Sequence, residues 1–299
     1  MKTFKGRVAV ITGGASGFGR EFAFKAHRLG MKIALADVQR DALERTVQEL
    51  REAGAQAFGL PCDVRKSAEV QALADATMKE YGAVHLVFNN AGVGSAGFIW
   101  ENTEADWEWV MGVNVWGVIH GVRIFTRLMF DCAQQDPDFE GHIVNTSSMA
   151  GTMSMPAMGV YNVSKHAVVT LSETLYQDLQ LVQAPIGASV LCPYYVPTGI
   201  AQSHRNRPAD VKATGRPTGS QLAAQALVDK AVNSGKVSAA DVADMTFDAI
   251  AAGRFYIFTH PNALGGIEQR ARDMLAQQNP GDPYAGMPHI REALLQSRS

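Results

Sequence analysis

The sequence predicts an α/β fold: a doubly wound, mainly parallel sheet with helices on both faces, in a single domain. Short apolar runs alternate along the chain with longer amphipathic stretches, a pattern typical of strand–helix–strand units. The apolar runs are nearly continuous rather than alternating, as expected for strands that are covered on both faces. The first run also ends at a cluster of glycines that leads directly into a helix.

Strands are predicted where apolar residues form short runs between turn residues. In chain order they are Val8–Thr12, Lys32–Ala36, Ala57–Leu60, Val84–Asn89, His142–Ser147, Gly187–Cys192 and Phe255–Thr259. Helices are predicted between them, with Gly30 and Gly54 closing the first two and Ser67 as the N-cap of the third. In chain order they are Phe18–Leu29, Arg40–Ala53, Ser67–Tyr81, Asp106–Cys132 and Val160–Leu181.

Two regions depart from this alternation. From Pro193 to Lys236 the chain is rich in proline, glycine and polar residues, so we expect an excursion of about 194–236, and long excursions of this kind are often lids. A C-terminal extension of about 261–299 is predicted to hold one helix, Gly266–Gln278, and a weakly structured end. Because no repeat or low-complexity tract divides the chain, residues 1–299 are expected to form one domain.

The composition argues against several classes of function. The chain has 299 residues, 46% of them hydrophobic, and a formal net charge of -2, which does not indicate a nucleic-acid partner. Its apolar stretches are too short for a membrane helix and its N-terminus does not resemble a signal peptide, so we expect a cytoplasmic protein without a membrane partner. The three cysteines are far apart, which predicts neither a disulfide framework nor a metal site.

The glycine-rich turn after the first strand is Thr12-Gly13-Gly14-Ala15-Ser16-Gly17-Phe18-Gly19. Its glycines at positions 13, 17 and 19 let the backbone turn tightly and approach a pyrophosphate. The helix that follows presents free N–H groups and a partial positive charge. A plain strand-to-helix turn would also explain the glycines. The strand before them, the helix after them and the acidic residue that follows favour a Rossmann-type dinucleotide site.

That acidic residue is Asp37, at the end of the second predicted strand. A carboxylate at this position can accept both ribose hydroxyls of an adenosine and would repel a 2′-phosphate. Val38 follows it and Ser16 precedes Gly17, so neither neighbouring position supplies a basic residue. These residues favour NAD over NADP as the cofactor, although an ordinary turn aspartate would also fit the position.

Tyr161 and Lys165 form a candidate proton-transfer pair. Oxidation of an alcohol by hydride transfer also removes the hydroxyl proton, and a tyrosine with a pKa of about 10 is a poor base at neutral pH. A lysine four residues later lies on the same helix face. Its ammonium, together with a positive nicotinamide ring, would favour tyrosinate. Lowering the tyrosine pKa by three units requires about 4 kcal/mol.

Ser148 follows the fifth predicted strand, within Asn145-Thr146-Ser147-Ser148. Ligands of open α/β sheets bind at the carboxyl ends of strands. A serine hydroxyl there can hydrogen-bond a substrate oxygen and stabilise the charge that develops on it. The neighbouring Ser147 is the alternative candidate for this role.

Taken together, these residues resemble the short-chain dehydrogenase/reductase family over about Lys5 to Thr198. The glycine-rich turn matches the cofactor loop of the family. Asp63-Val64 matches its adenine-contacting pair, and Asn89-Asn90-Ala91-Gly92 its fourth-strand motif. The catalytic set of the family is matched by Asn114, Ser148, Tyr161 and Lys165.

The resemblance implies a role for each matched residue. Tyr161 would act as general base, Ser148 would hold the substrate oxygen, and Lys165 would also bind the nicotinamide ribose. Asn114 would kink its helix and hold a water that leads protons from Lys165 to bulk solvent. The cofactor would be bound by Gly13, Ser16, Gly17, Phe18, Gly19, Asp37, Asp63, Val64, Asn90, Ala91, Gly92, Tyr161, Lys165, Pro193 and Thr198.

The segment after the sixth strand departs from the family pattern. Pro193 is followed by Tyr194, where the family usually has glycine, while Thr198 matches the threonine that anchors the nicotinamide carboxamide. Tyr194 would either line the substrate cavity, alter the loop backbone or pack outward. Methionines and aromatic residues around this point suit a roomy apolar pocket. The candidate wall residues are Trp100, Met149, Met153, Met158, Tyr194 and Tyr195.

The leading hypothesis is an NAD-dependent oxidation of a bulky, largely apolar secondary alcohol to its ketone. Arg205 or Arg207 in the excursion could instead swing in to hold a carboxylate. The alternatives are an NADP-dependent carbonyl reductase, a non-catalytic nucleotide-binding protein of the same fold, and a non-redox epimerase or lyase. The family resemblance further implies a homodimer or homotetramer through the two longest predicted helices.

Overall fold

A parallel sheet forms the centre of the protein, which we describe from a computed structural model. Within residues 1–212 and 215–297, the part that the structure describes, seven strands pair in the order β3-β2-β1-β4-β5-β6-β7, all parallel. The strands are β1 (Val8–Thr12), β2 (Lys32–Asp37), β3 (Ala57–Pro61), β4 (Leu86–Asn89), β5 (Gly141–Thr146), β6 (Ile186–Cys192) and β7 (Tyr256–Phe258). The strand order reverses between β1 and β4, and ligands of α/β proteins bind at such a reversal.

Helices cover both faces of this sheet, and the predicted doubly wound fold is confirmed. They are α1 (Gly17–Arg28), α2 (Arg40–Glu52), α3 (Ser67–Tyr81), α4 (Glu104–Met111), α5 (Gly117–Gln135), α6 (Gly159–Leu181), α7 (Gly219–Asn233), α8 (Ala239–Ala251), α9 (Gly265–Leu275) and α10 (Pro288–Gln296). None of the helices in the described ranges is both long enough and apolar enough to span a bilayer.

The sheet separates two apolar cores. On one face, α1 and α8 pack against the strands, and Phe88 of β4 lies between Phe22 of α1 and Phe247 of α8. The ring centroids of Phe22 and Phe88 are 4.4 Å apart, and those of Phe88 and Phe247 are 5.6 Å apart. Residues of α3, α5 and α6 form the core of the other face. Burial on both faces explains why the strands have continuous apolar sequences.

Two local predictions require correction. The single helix predicted over Asp106–Cys132 is interrupted by a π-helical turn, Gly112–Trp116, between α4 and α5. Ser67 is not the N-cap of α3. The N-cap is Lys66, whose extended backbone follows a turn closed by a hydrogen bond from its N–H to the carbonyl of Asp63. That turn starts the helix one residue earlier, so Ser67 is its first residue.

The excursion and the C-terminal extension contain more helix than the sequence analysis predicts. Helix α7 lies inside the excursion, and Thr218 caps it through a reciprocal capping box with Gln221. Helix α8, which the sequence analysis does not predict, follows the excursion. Helix α10 occupies the end predicted to be weakly structured, and its Leu294 packs against Ala224 of α7. Residues 213–214 of the excursion and 298–299 of the extension lie outside the described residues.

Residues 199–211, which we call the cover segment, follow β6 in the chain and pack against α4. They form two short 3₁₀ stretches, Gly199–Asn206 and Ala209–Val211. Arg207 holds the segment in place, because its Nη1 donates to a carboxylate oxygen of Asp106 at 2.5 Å. Both side chains are only 12–13% exposed. The guanidinium also lies 5.1 Å from the ring centroid of Trp109. The segment is therefore attached to α4 by a largely buried ion pair.

We expect Arg207→Met to lower the free energy of unfolding by about 1.5–3 kcal/mol, because Asp106 would keep its burial and lose its charged donor. Urea denaturation measures this change. Arg272→Met is the control, since its pair with Glu268 is well exposed and worth at most about 0.5 kcal/mol. Equal losses in the two variants would show that the buried pair does not stabilise the fold.

Candidate active site

A cleft of about 450 Å³ opens at the carboxyl ends of β1, β2, β4 and β5. It brings together most of the predicted cofactor-binding residues, although they come from widely separated parts of the chain. Those that line it are Gly13, Ser16, Gly17, Phe18, Asp37, Asp63, Val64, Asn90, Ala91, Gly92, Tyr161, Lys165, Pro193 and Thr198. Gly19 does not line the cleft and instead lies beneath the loop.

The glycine-rich loop requires its glycines for two different reasons. Gly13 and Gly17 have φ angles of 65° and 52°, which residues with a side chain rarely adopt. At Gly19 the restriction is one of space, because an added Cβ would lie 2.0 Å from the carbonyl oxygen of Gly13. The loop is therefore tightly folded, with its backbone exposed to the cleft at Gly13 and Gly17 and packed against itself at Gly19.

The N-terminus of α1 faces the cleft with unsatisfied backbone donors. Its N-cap, Ser16, makes no side-chain capping bond, and no acidic residue of the described chain occupies the first turn. The first N–H groups of a helix have no partners within it, and the helix dipole favours an anion at this end. The geometry suits a phosphate group, and a dinucleotide therefore fits the loop.

Asp37 lies at the end of β2 with its carboxylate fixed by the backbone. One oxygen accepts a hydrogen bond from the N–H of Ala15 at 3.0 Å, and the other accepts one from Gln39 at 2.9 Å. Burial raises the pKa of Asp37, while these two hydrogen bonds oppose the rise. Each oxygen has further acceptor capacity, so the side chain can still receive hydroxyl donors from within the cleft.

The residues after β4 connect the ends of three strands. The Thr12 hydroxyl accepts hydrogen bonds from the N–H groups of Asn90 and Ala91 at 2.9 and 3.1 Å. The Asn90 amide donates to the carbonyl of Thr12 at 3.1 Å and accepts from the Thr146 hydroxyl at 3.2 Å. Asn90 thus holds β1, β4 and β5 together, and Ala91 and Gly92 form the floor of the cleft.

Asp63 faces the cleft while paired with a cation. Nε and Nη2 of Arg65 contact its carboxylate at 2.7–3.1 Å. The same guanidinium reaches Asp210 of the cover segment at 3.2 Å. The next residue, Val64, is fixed through its carbonyl by the ring of His120 at 3.0 Å. Arg65 therefore connects one end of the cleft to the cover segment.

Tyr161 and Ser148 stand where the cleft meets a second cavity, and both line both spaces. The Ser148 hydroxyl accepts a hydrogen bond from the N–H of Ala150 at 3.1 Å and donates to the carbonyl of Pro193 at 3.3 Å. Burial raises the pKa of Tyr161 to about 12, and the Ser148 hydroxyl partly offsets that rise. The two side chains are therefore close enough to act on the same substrate oxygen.

Lys165 is buried beneath Tyr161. Its Nζ donates to the carbonyl of Thr146 at 3.0 Å and lies 5.6 Å from the centroid of the Tyr161 ring. Burial lowers the pKa of Lys165 to about 8, against a small opposing effect of Cys192. The Ser147 hydroxyl donates to the carbonyl of Lys165 at 2.8 Å. Since this bond directs Ser147 toward α6, the geometry favours Ser148 for the substrate-facing role.

Asn114 is fully buried in the π-helical turn and does not line the cleft. Its side-chain oxygen accepts from the N–H of Val93 at 2.9 Å, while its Nδ2 donates to the carbonyl of Val93 and the hydroxyl of Ser164, both at 3.0 Å. A π-turn is a common cause of helix distortion. Asn114 therefore ties this distorted turn to the loop after β4 and to α6.

The second cavity, of about 90 Å³, is lined mainly by apolar side chains. Five of the six predicted wall residues line it beside Ser148 and Tyr161, together with Met155, Ile200 and Val228. These five are Met149, Met153, Met158, Tyr194 and Tyr195. Trp100 is a wrong prediction: it is 74% exposed and stacks on Phe98, so its side chain points away from this cavity.

Tyr194 lies at the rim of both the cleft and the second cavity. It lines the cleft and the second cavity, and 37% of it remains exposed. Its ring centroid is 4.4 Å from that of Tyr195 and 5.8 Å from that of His260. It is absent from the described non-glycine residues with positive φ, so this backbone position does not require glycine. The tyrosine therefore changes the rim of the cavity rather than the course of the loop.

Three cleft residues have no signal in the sequence that would identify them: Trp109 of α4, and Ile200 and Ser203 of the cover segment. Arg205, one of the two arginines considered for binding a carboxylate, also lines the cleft. Arg207, the other arginine considered for binding a carboxylate, is occupied by Asp106 instead. Positions of this kind depend on how the cover segment folds back, which no local motif encodes.

Comparisons with known proteins agree with this geometry. A family model described as short chain dehydrogenase matches residues 7–209. The crystal structure of a short chain dehydrogenase/reductase from Burkholderia phymatum, in complex with NAD, is 55% identical. It aligns with a TM-score of 0.92 over 95% of this chain and 99% of that one.

Two relatives known by sequence extend over nearly the whole chain. A CLA biosynthesis dehydrogenase/reductase from Lactiplantibacillus plantarum is 33% identical over 283 residues, 94% of this chain and 97% of the relative. A C alpha-dehydrogenase from a Sphingobium species is 32% identical over 298 residues, 99% of this chain and 94% of the relative. The chain therefore belongs to the short chain dehydrogenase/reductase family of NAD(P)-dependent oxidoreductases.

Proposed function

We propose that the protein interconverts a bulky, largely apolar secondary alcohol and its ketone, with NAD as the cofactor. The observation that carries this proposal is the shared position of Ser148 and Tyr161. They line both the cleft that fits a dinucleotide and the apolar cavity beside it. A substrate in that cavity would have its reacting oxygen at these two hydroxyls.

The preference for NAD rests on Asp37. Its carboxylate is held at the end of β2 with acceptor capacity left for two ribose hydroxyls. A 2′-phosphate beside it would meet a negative charge, and the next residue, Val38, offers no compensating cation. The Burkholderia phymatum relative, whose structure contains NAD, agrees with this choice.

The proton chemistry falls to Tyr161 and its neighbours. Tyr161 would accept the proton of the substrate hydroxyl while the hydroxyl of Ser148 holds the same oxygen. A pKa of about 12 for Tyr161 means that ionisation at pH 7 requires about 7 kcal/mol of differential stabilisation. The ammonium of Lys165, 5.6 Å from the centroid of the Tyr161 ring, would supply part of this stabilisation. When bound, NAD would supply the hydride acceptor, and its nicotinamide ring would add a positive charge beside Tyr161.

The substrate class follows from the cavity walls. Methionine side chains are flexible and adapt to irregular apolar groups, so the cavity can enlarge around a substrate. None of the residues that line it within the described chain is charged. A neutral alcohol with an apolar substituent therefore suits the cavity better than a carboxylate or a phosphate ester.

A panel of secondary alcohols, followed by NADH formation, tests the proposed reaction. We expect neutral cyclic and aromatic alcohols to react faster than small or carboxylated ones. Tyr161→Phe should lower turnover about 10²- to 10⁴-fold without loss of NADH binding. Tyr176→Phe, on the same helix but distant from the cleft, should keep the wild-type rate. If the protein binds NADH but oxidises no alcohol, and Tyr161→Phe changes nothing, the non-catalytic alternative is supported.

The choice of cofactor is tested by Asp37→Asn, which removes the charge and keeps the shape. We expect the Kd for NADH to rise roughly 10-fold or more, as for loss of a charge-assisted hydrogen bond. The ratio of the Kd for NADPH to the Kd for NADH should decrease in the same variant. Fluorescence titration with each nucleotide gives both values, and Asp41→Asn on exposed α2 is the matched control. A wild-type protein that binds NADPH more tightly than NADH would overturn the proposal.

The buried charge of Lys165 predicts a pH-dependent stability. The folded protein releases this proton near pH 8, whereas the unfolded chain keeps it until about pH 10.5. Burial of the ammonium therefore destabilises the fold below pH 8, and the penalty disappears as the pH rises through this window. Relative to Lys165→Met, the free energy of unfolding of the wild type should increase by about 3 kcal/mol as the pH rises from about 8 to about 10.5. A constant difference in urea unfolding across the window would contradict this prediction.

A further inference from the structure

Arg205 is an arginine of the cover segment that faces the cofactor cleft. Its Nη1 donates to two backbone carbonyls of its own segment, those of Gly199 at 3.3 Å and Gln202 at 3.1 Å. The guanidinium packs so closely over Gly199 that an added Cβ there would lie 2.9 Å from Nη2. These contacts hold the side chain over the start of the cover segment.

That place is next to the N-terminus of α1. Gly199 directly follows Thr198, whose Cβ and Cγ2 lie 3.5 Å from the position that a Cβ of Gly17 would take. Gly17 is the first residue of α1, where the backbone donors of the first turn face the cleft. The guanidinium and the helix N-terminus therefore both lie beside Thr198 and Gly199, in the same part of the cleft.

Arg205 also differs from the two other arginines near the cleft. Arg65 and Arg207 are each paired with a carboxylate. Among the described residues, no carboxylate forms an ion pair with Arg205, and its protein hydrogen bonds use Nη1 only. A guanidinium has five N–H donors in a planar fork that matches phosphate oxygens. Arg205 lines the cleft, and its charge slightly opposes the rise in the pKa of Asp37 that burial causes.

We infer that Arg205 binds the pyrophosphate of the dinucleotide, closing it against the N-terminus of α1. The inference rests on the proposed cofactor site and adds to it a residue from outside the glycine-rich loop. The pyrophosphate lies between two sets of donors, the first-turn amides on one side and the guanidinium on the other. A substrate carboxylate is the less suitable partner, because Arg205 lines the cofactor cleft and not the apolar cavity.

The ion pair between Arg207 and Asp106 holds Arg205 close to the position in which it would bind the pyrophosphate. Arg207 is two residues further along the cover segment and fixes it to Asp106 of α4. The backbone that carries Arg205 is therefore held near its binding position before the ligand arrives. A group held in this way loses less conformational freedom on binding, so more of its interaction energy contributes to affinity.

Binding of NADH, ADP-ribose and adenosine to Arg205→Gln tests the inference by titration calorimetry, without any measurement of turnover. We expect the Kd for NADH and for ADP-ribose to rise about 10- to 100-fold and that for adenosine to stay unchanged. Arg205→Lys should recover part of the loss, since it keeps the charge but not the fork. Arg216→Gln, an exposed arginine of the same excursion outside the cleft, is the control and should bind all three like the wild type.

Other outcomes would overturn the inference. Unchanged binding of ADP-ribose to Arg205→Gln would exclude a pyrophosphate contact, and an equal loss for adenosine would indicate a general disturbance of the cleft. In a parallel titration with NADPH, a loss confined to that nucleotide would assign Arg205 to a 2′-phosphate instead. A wild-type protein that binds neither NADH nor ADP-ribose would instead refute the proposed function itself.

Discussion

The site depends on the contact between helix α6 and the end of β5. The ammonium of Lys165 is removed from water and bound to the carbonyl of Thr146, while the hydroxyl of Ser147 binds the carbonyl of Lys165. Burial of an uncompensated charge is strongly unfavourable, so this pairing fixes both the height and the rotation of the helix. Tyr161, one turn earlier, is thereby held over the cleft, with Ser148 beside it.

The same edge of the sheet organises the rest of the site. In a parallel sheet all strands end on one side, so the glycine-rich loop, Asp37 and Ser148 meet although they are far apart in the chain. The cover segment then closes this edge from outside and is fixed by the ion pair of Arg207 with Asp106. The proposed proton transfer, the proposed choice of NAD and the proposed phosphate contact of Arg205 therefore all belong to one crevice and not to separate sites.

The sequence predicted those parts of the fold that local patterns encode. The seven strands and the helices between them were recognisable from continuous apolar runs and glycine stops, with ends that differ by at most three residues. Helices α7, α8 and α10 were not predicted. For α7 and α10 the reason is that their apolar faces pack against each other, which neither segment shows by itself. Ser67 was wrongly predicted as the N-cap, because the turn between Asp63 and Lys66 places Lys66 at that position and makes Ser67 the first helical residue.

By itself, then, the sequence determined the sheet, the glycine-rich loop, the acidic residue at the end of β2 and the spacing of Ser148, Tyr161 and Lys165. Each is set by residue type and short-range geometry. Only the tertiary structure decided that Ser147 turns toward α6, that Trp100 lies outside the cavity, and which arginine of the cover segment faces the cleft. Trp100 stacks on its near neighbour Phe98, but that contact depends on how the loop folds. The other two outcomes depend on contacts between residues far apart in sequence, for which no short pattern exists.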